Sequence, residues 1–356
     1  MPQPTQSSVA PLPPAPSGNR FLNLLRRAGL LDWFLLGLAG VVLLAYLIPE
    51  VGSKASPIPW KVLTTAGVAL IFFFYGLRLS LAKLTAGLRN WRLHVVVQLT
   101  TFVVFPVLAL ALRPLFVGQA AGMWPSVFFL CTLPSTVSTS VVMVSIARGN
   151  LPAAIFNASI SSLLGIVLTP LWASLFLNTS AEGGNLWHLA IDLLWQVVLP
   201  VVVGVLLNGR FGGFAEQHKG SLRISDQVVI LLIVFTAFCE SFAEGIFRSY
   251  EPHDIALLAL GMVVLYFLIF GLVWALSRLL GFSHADRTVA LFCGSKKSLV
   301  HGSVMASLLF PGMAATGLLL LPLMLYHALQ IILASMMAQH MGRQAEAAEV
   351  AAQLEA

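Results

Sequence analysis

Charge is what this sequence most lacks. Only 10% of its 356 residues are Asp, Glu, Lys or Arg, 58% are hydrophobic, and the mean hydropathy is +0.90. Soluble domains carry roughly 25% charged residues. So few charges cannot cover the surface of a water-soluble fold of this length, which excludes an ordinary globular enzyme or adaptor. Cysteine is scarce too. Cys131, Cys239 and Cys293 lie in or beside apolar segments without metal-ligand spacing and read as small packing residues. No nucleophile with an oriented base is discernible, so an enzyme is not expected, nor a resident cofactor. Residues 1–19, MPQPTQSSVAPLPPAPSGN, lack a basic start followed by an apolar core. They form no signal peptide, and their Pro, Ser and Gln predict a disordered tail.

Apolar runs are what the chain has in abundance. They fall at about 30–49, 60–79, 92–112, 123–146, 152–176, 187–207, 224–246, 255–280, 286–310 and 315–340. A bilayer-spanning helix needs about 20 such residues, so the expectation is an all-α integral membrane protein with ten spans. The formal net charge of +6 does not point to nucleic acid, because the cations sit in short loops between apolar runs. With the N-terminus inside, 14 of the 20 Lys and Arg face the cytoplasm and 4 the exterior. That bias predicts cytoplasmic termini in a plasma or inner membrane, with the loop around Asn178 outside. Residues 341–356 read as a polar Ala/Glu helix or frayed cytoplasmic tail. Asp192, Glu240 and Glu244 are candidate partners for buried lysines.

The chain also resembles itself. Ser140-Val-Val-Met-Val-Ser145 lies over Gly302-Ser-Val-Met-Ala-Ser307, and the run 70–77 is similar to 232–239. Residues 20–180 and 181–340 then form two repeats of five spans. An odd number of spans inserts the second repeat upside down, a common construction of secondary transporters.

Two of the runs are interrupted by polar residues. The fourth carries Thr132, Pro134, Ser135, Ser138, Thr139 and Ser140. The ninth carries Gly294, Ser295, Lys296, Lys297 and Ser298. Pro134 lacks an N–H and displaces a helical carbonyl. Each lysine costs roughly 2.5–3.5 kcal/mol at a helix centre, so the pair must face a polar cavity, a partner charge or broken backbone. Pro134 and Gly294 are the expected break points, with the two breaks facing each other. Gln98, Thr101, Asn157 and His327 are further buried polar candidates for contact with a substrate or ion; His327 shares a helix face with Gln330.

These motifs are similar to those of the bile-acid:sodium symporter superfamily, and chiefly of its SBF-like branch typified by solute carrier family 10 member 7. The resemblance rests on Phe72-Phe-Phe-Tyr-Gly-Leu-Arg-Leu79, Leu133-Pro-Ser-Thr-Val-Ser-Thr-Ser140, Ala147-Arg-Gly-Asn150 and Phe156-Asn157. It continues through Thr169-Pro170, Gly294-Ser-Lys-Lys-Ser298 and Tyr326-His-Ala-Leu-Gln330. It implies ten spans in two inverted repeats, divided into panel and core domains, with the fourth and ninth helices unwound where they cross. It also implies alternating-access transport of a small, organic, anionic solute. A membrane regulator that binds a lipid or protein through the same fold is the alternative. Sodium-coupled members carry a Glu and a Gln-Asn pair in the ninth span and an Asn in the fourth. Here Phe292, Lys296, Lys297 and Val141 stand in those places, and Ser140 alone persists as a residual sodium ligand. The coupling ion, sodium or proton, is therefore open. A fixed ammonium at Lys296 or Lys297 could supply the charge that sodium brings in the relatives.

Overall fold

The computed structural model describes residues 33–78, 90–177, 197–310, 313 and 315–355. The N-terminal tail, the Asn178 loop and Asp192 lie outside them. Among the described residues every regular element is a helix. Lipid explains this: its core offers no partner to a backbone N–H or C=O, and a helix satisfies both within one segment. The helices are α1 (Trp33–Leu47), α2 (Trp60–Arg78), α3 (Trp91–Leu115), α4 (Trp124–Thr132), α5 (Ser138–Ile146) and α6 (Leu151–Phe176). Then follow α7 (Leu199–Gln217), α8 (Lys219–Ala243), α9 (Pro252–Leu279), α10 (His284–Gly294), α11 (Leu299–Leu309) and α12 (Thr316–Glu355). Six of them, α2, α3, α6, α8, α9 and α12, are individually long and apolar enough to cross a membrane.

Helix starts follow local chemistry. Asn90 and Asn150 cap α3 and α6 by accepting from the N–H groups of Leu93 and Ala153. Each cap amide also donates to Asp286, at 2.8 and 3.0 Å. Asp286 lies in the first turn of α10, whose own cap is Ser283. One carboxylate thus ties three helix N-termini together, where negative charge is favoured.

Some expected boundaries move. The sixth run was expected to end near 207 and a loop to follow. Instead α7 runs to Gln217 and α8 begins at Lys219, with only His218 between them. Arg210 and Lys219 therefore lie on helices; polarity does not stop a helix that emerges into water. For the same reason α12 continues through the predicted tail to Glu355. Its 40 residues span about 60 Å at 1.5 Å each, twice a bilayer core of ~30 Å. Its end docks on the α5 terminus, through an Arg148–Glu346 ion pair of 3.2 Å. There Gly342 packs on the Ile146 carbonyl with no room for a Cβ.

Two packing regimes divide the molecule. Helices α2 and α7 touch backbone to backbone, since a Cβ on Gly76 would strike the Val201 carbonyl and one on Gly204 the Phe73 carbonyl. Small residues permit such contact between membrane helices. Charges here meet opposite charges: Arg78 with Asp226 of α8 at 2.8 Å, and Lys54 with Glu240 at 2.9 Å. Glu240 is thereby corrected from a candidate partner of the buried lysines to the partner of Lys54. The second regime surrounds the two interrupted runs.

Candidate binding site at the helix crossing

The fourth run is helical to Thr132, non-helical from Leu133 to Val137, and helical again from Ser138. Leu133 is extended (ψ 152°) as the residue before a proline must be. The ninth run stops at Gly294 and resumes at Leu299. Thr132 and Gly294 are counterparts in the register that lays Ser140 over Gly302. The two gaps are joined directly: the Ser298 N–H donates to the Pro134 carbonyl at 2.9 Å.

A broken helix leaves carbonyls without donors, and each must be accounted for. In the first gap, side chains supply donors to three of them. The Cys131 and Leu133 carbonyls accept from Lys297 Nζ, each at 2.7 Å. The Thr132 carbonyl accepts from the Thr169 hydroxyl at 2.9 Å. Gly165 makes room for the Pro134 ring, since a Cβ there would lie 2.6 Å from Pro134 Cγ. In the second gap, Gln330 clamps Lys297 from both sides. Its Oε1 accepts from the Lys297 N–H and its Nε2 donates to the Lys297 carbonyl, both at 2.8 Å. The Tyr326 hydroxyl donates to the Ser295 carbonyl at 2.7 Å.

A third helix contributes through a proline. A π turn at Thr100–Val104 interrupts α3, with the Phe105 N–H donating to the Thr100 carbonyl. The next donor would belong to Pro106, which has none. Two carbonyls beside it are filled by side chains instead. Thr101 O accepts from Lys297 Nζ at 2.8 Å, and Phe102 O from the Trp172 indole at 2.9 Å. The Phe105 ring lies 4.0 Å from the same ammonium.

The two lysines are thus unlike. Both are fully buried, and among the described residues neither has a carboxylate partner. Lys297 places its three hydrogens on three carbonyls. Hydrogen bonds to a charged group contribute roughly 1.5–3 kcal/mol each, enough together to offset insertion. Lys296 has one such partner, the Thr139 carbonyl at 3.1 Å, with the Phe292 ring 5.9 Å away. One bond leaves its ammonium under-satisfied.

The remaining candidates divide. Ser135 donates its N–H to Ser161, and its hydroxyl, fully buried, has no partner among the described residues. Ser298 caps α11 and meets His301 Nδ1 at 3.1 Å. Among the described residues His301 Nε2 is buried without a partner, its ring against Phe72 and Tyr75 of α2. The Ser140 hydroxyl is bonded to Thr136 at 2.9 Å, and Thr139 to Thr136 at 2.7 Å. Thr132, Thr101 and Ser295 turn their hydroxyls back onto their own helices. Ser138 is exposed. His327 supports Gln330 at 3.0 Å. Gln98 and Asn157 form a separate network with His94, between α3 and α6. Gly294 ends its helix without a left-handed φ and with ordinary room for a Cβ. The tertiary partners of Ser295 and Lys297 therefore hold that break, rather than glycine's backbone freedom. Sequence reasoning missed Tyr326, Thr169, Phe105, Pro106, Tyr75 and His301. Pro106, inside an apolar run, was the one legible signal of an orphan carbonyl.

Comparison with known proteins gives the family. The model of the SBF-like CPA transporter family matches residues 32–343. The chain is 40% identical over 323 residues to an uncharacterized protein of Pseudomonas aeruginosa, covering 90% of this chain and 96% of that one. It is 37% identical to the "Putative symporter YfeH" of Escherichia coli, covering 89% and 95% respectively. It is 32% identical to "Sodium/bile acid cotransporter 7-B" of Xenopus laevis, covering 86% and 90%.

Proposed function

Since the chain belongs to the SBF-like CPA transporter family, we propose that it is a secondary carrier of a small anionic organic solute, working by alternating access. The supporting observation is the excess of unneutralised positive character at the crossing. The Lys296 ammonium has one carbonyl partner. The N-terminal ends of α5 and α11, where helix dipoles favour anions, lie on either side of the contact between Ser298 and Pro134. Beside them, Ser135 Oγ and His301 Nε2 are buried without partners among the described residues. In this reading Lys296, Ser135 and His301 receive the solute's anionic group. Helices α1, α2, α7 and α8 act as the panel, and the interrupted helices with α3, α6, α9 and α12 as the core that moves against it. Ten spans in two inverted repeats and cytoplasmic termini complete the arrangement, the latter from the Lys/Arg bias. The bile acid in the frog relative's name suggests an amphipathic carboxylate or sulfonate as first substrate.

The test is uptake of labelled organic anions into proteoliposomes under a sodium gradient, a proton gradient or neither. Saturable uptake by the natural protein, reduced at least tenfold in Lys296→Gln, is the expected result. No gradient-driven uptake of any organic anion, from protein whose folding is verified, overturns the reading.

A further inference from the structure

We infer that Lys297 is a tethered cation: its ammonium fills a monovalent-cation site of main-chain carbonyls that a shorter side chain would open to a free ion. This holds whether or not the chain transports anything.

Three features carry the inference. The ligands are neutral carbonyls only, from Thr101, Cys131 and Leu133, at 2.7–2.8 Å. They converge from two interrupted helices: in the π turn of α3 the donor due to Thr101 would belong to Pro106, which has none, and α4 unwinds at Leu133-Pro134 before Cys131 and Leu133 meet helical donors. Converging carbonyls are what replaces the hydration shell of a bare monovalent ion in a selectivity filter. The end of α4 adds the negative pole of its dipole, which also favours a cation. The remaining flank is the Phe105 ring, 4.0 Å from the ammonium, whose π face attracts a cation. No acid neutralises the site among the described residues. A net positive charge is therefore what it is built to hold, and the chain supplies that charge itself. Gln330, on both the N–H and the carbonyl of Lys297, fixes the tether. A lysine there for packing alone would need neither three convergent acceptors nor a clamped backbone.

Because the tether cannot dissociate, the natural protein should be indifferent to dissolved cations at this site. Lys297→Ala vacates the ammonium's place and leaves the carbonyls. Lys297→Met fills the space without charge and serves as control. The experiment is thermal unfolding of purified protein in detergent, choline chloride being replaced stepwise by sodium, potassium or ammonium chloride at constant ionic strength. For Lys297→Ala we expect a saturable rise of the midpoint, about 4 °C when one of the cations exceeds its Kd a hundredfold. The natural protein and Lys297→Met should show no saturable response. If Lys297→Ala can be isolated only with one of these cations present, that supports the site equally. Indifference of Lys297→Ala to all three cations, or its failure to fold in every salt while Lys297→Met folds, overturns the inference. So does a saturable response of equal size in the natural protein, which would place the cation elsewhere. Because no transport is measured, failure here leaves the carrier reading standing, and failure of uptake leaves this site standing.

Discussion

Helices α2, α7 and α8 and the crossing of the interrupted helices meet one demand, that no polar group stand alone in lipid, in opposite ways. In the first region the helices are unbroken, so the backbone satisfies itself and glycines at 76 and 204 bring two of them into contact. Its partly buried cation, Arg78, has an acid at 2.8 Å. At the crossing, the prolines at 106 and 134 and the gap after Gly294 leave carbonyls without helical donors, and distant side chains satisfy them: Lys297, Thr169, Trp172, Tyr326 and Gln330. In the first arrangement the backbone hydrogen bonds are local. The second depends on partners up to 196 residues away in sequence, and partners that are not covalently neighbours can separate when helices move. The difference lies in where each carbonyl finds its donor.

The comparison breaks most severely at Lys297. Replacing it with Met strands three buried carbonyls, and a buried acceptor left unsatisfied costs about 1–3 kcal/mol. Denaturant unfolding in bicelles should register that loss; a change under 1 kcal/mol would mean the carbonyls find other donors. Next is Gly204→Ala, whose methyl must push α7 away from the Phe73 carbonyl. Overpacking of this kind costs about 1–3 kcal/mol, and the same unfolding assay should find the Lys297 site undisturbed, its cation indifference intact.

A smaller effect is expected at Tyr326. Tyr326→Phe removes the hydroxyl that satisfies the Ser295 carbonyl and leaves the ring in place, a loss of about 1–2 kcal/mol. Hydrogen exchange at Ser295–Ser298 should accelerate while α2 and α7 stay protected; uniform acceleration would deny that the crossing opens separately. Smallest is Asp226→Asn. The amide oxygen can still accept from Arg78, which is partly exposed, so the cost should be about 1 kcal/mol or less. A loss as large as that of Lys297→Met would erase the contrast between an acid-paired and a carbonyl-paired cation.

By itself the sequence determined the solvent and the places of interruption. Scarce charge and long apolar runs impose a bilayer, and a bilayer imposes helices. Pro134 among hydroxyls and two lysines in an apolar run mark where those helices cannot continue, because a proline lacks a donor and an ammonium cannot lie in lipid. These are properties of single residues and their immediate neighbours, so they are legible along a line. Which lysine would be saturated and which left nearly bare was not legible. Lys296 and Lys297 are adjacent and chemically identical. Their difference arises from Thr101, Cys131 and Leu133 converging on one ammonium while Thr139 alone meets the other. The fate of Glu240, the hold of Gln330 and the use of Pro106 were decided in the same way. Only packed helices bring an orphan carbonyl and its donor together, and a carbonyl's need for a donor does not name the residue that supplies it.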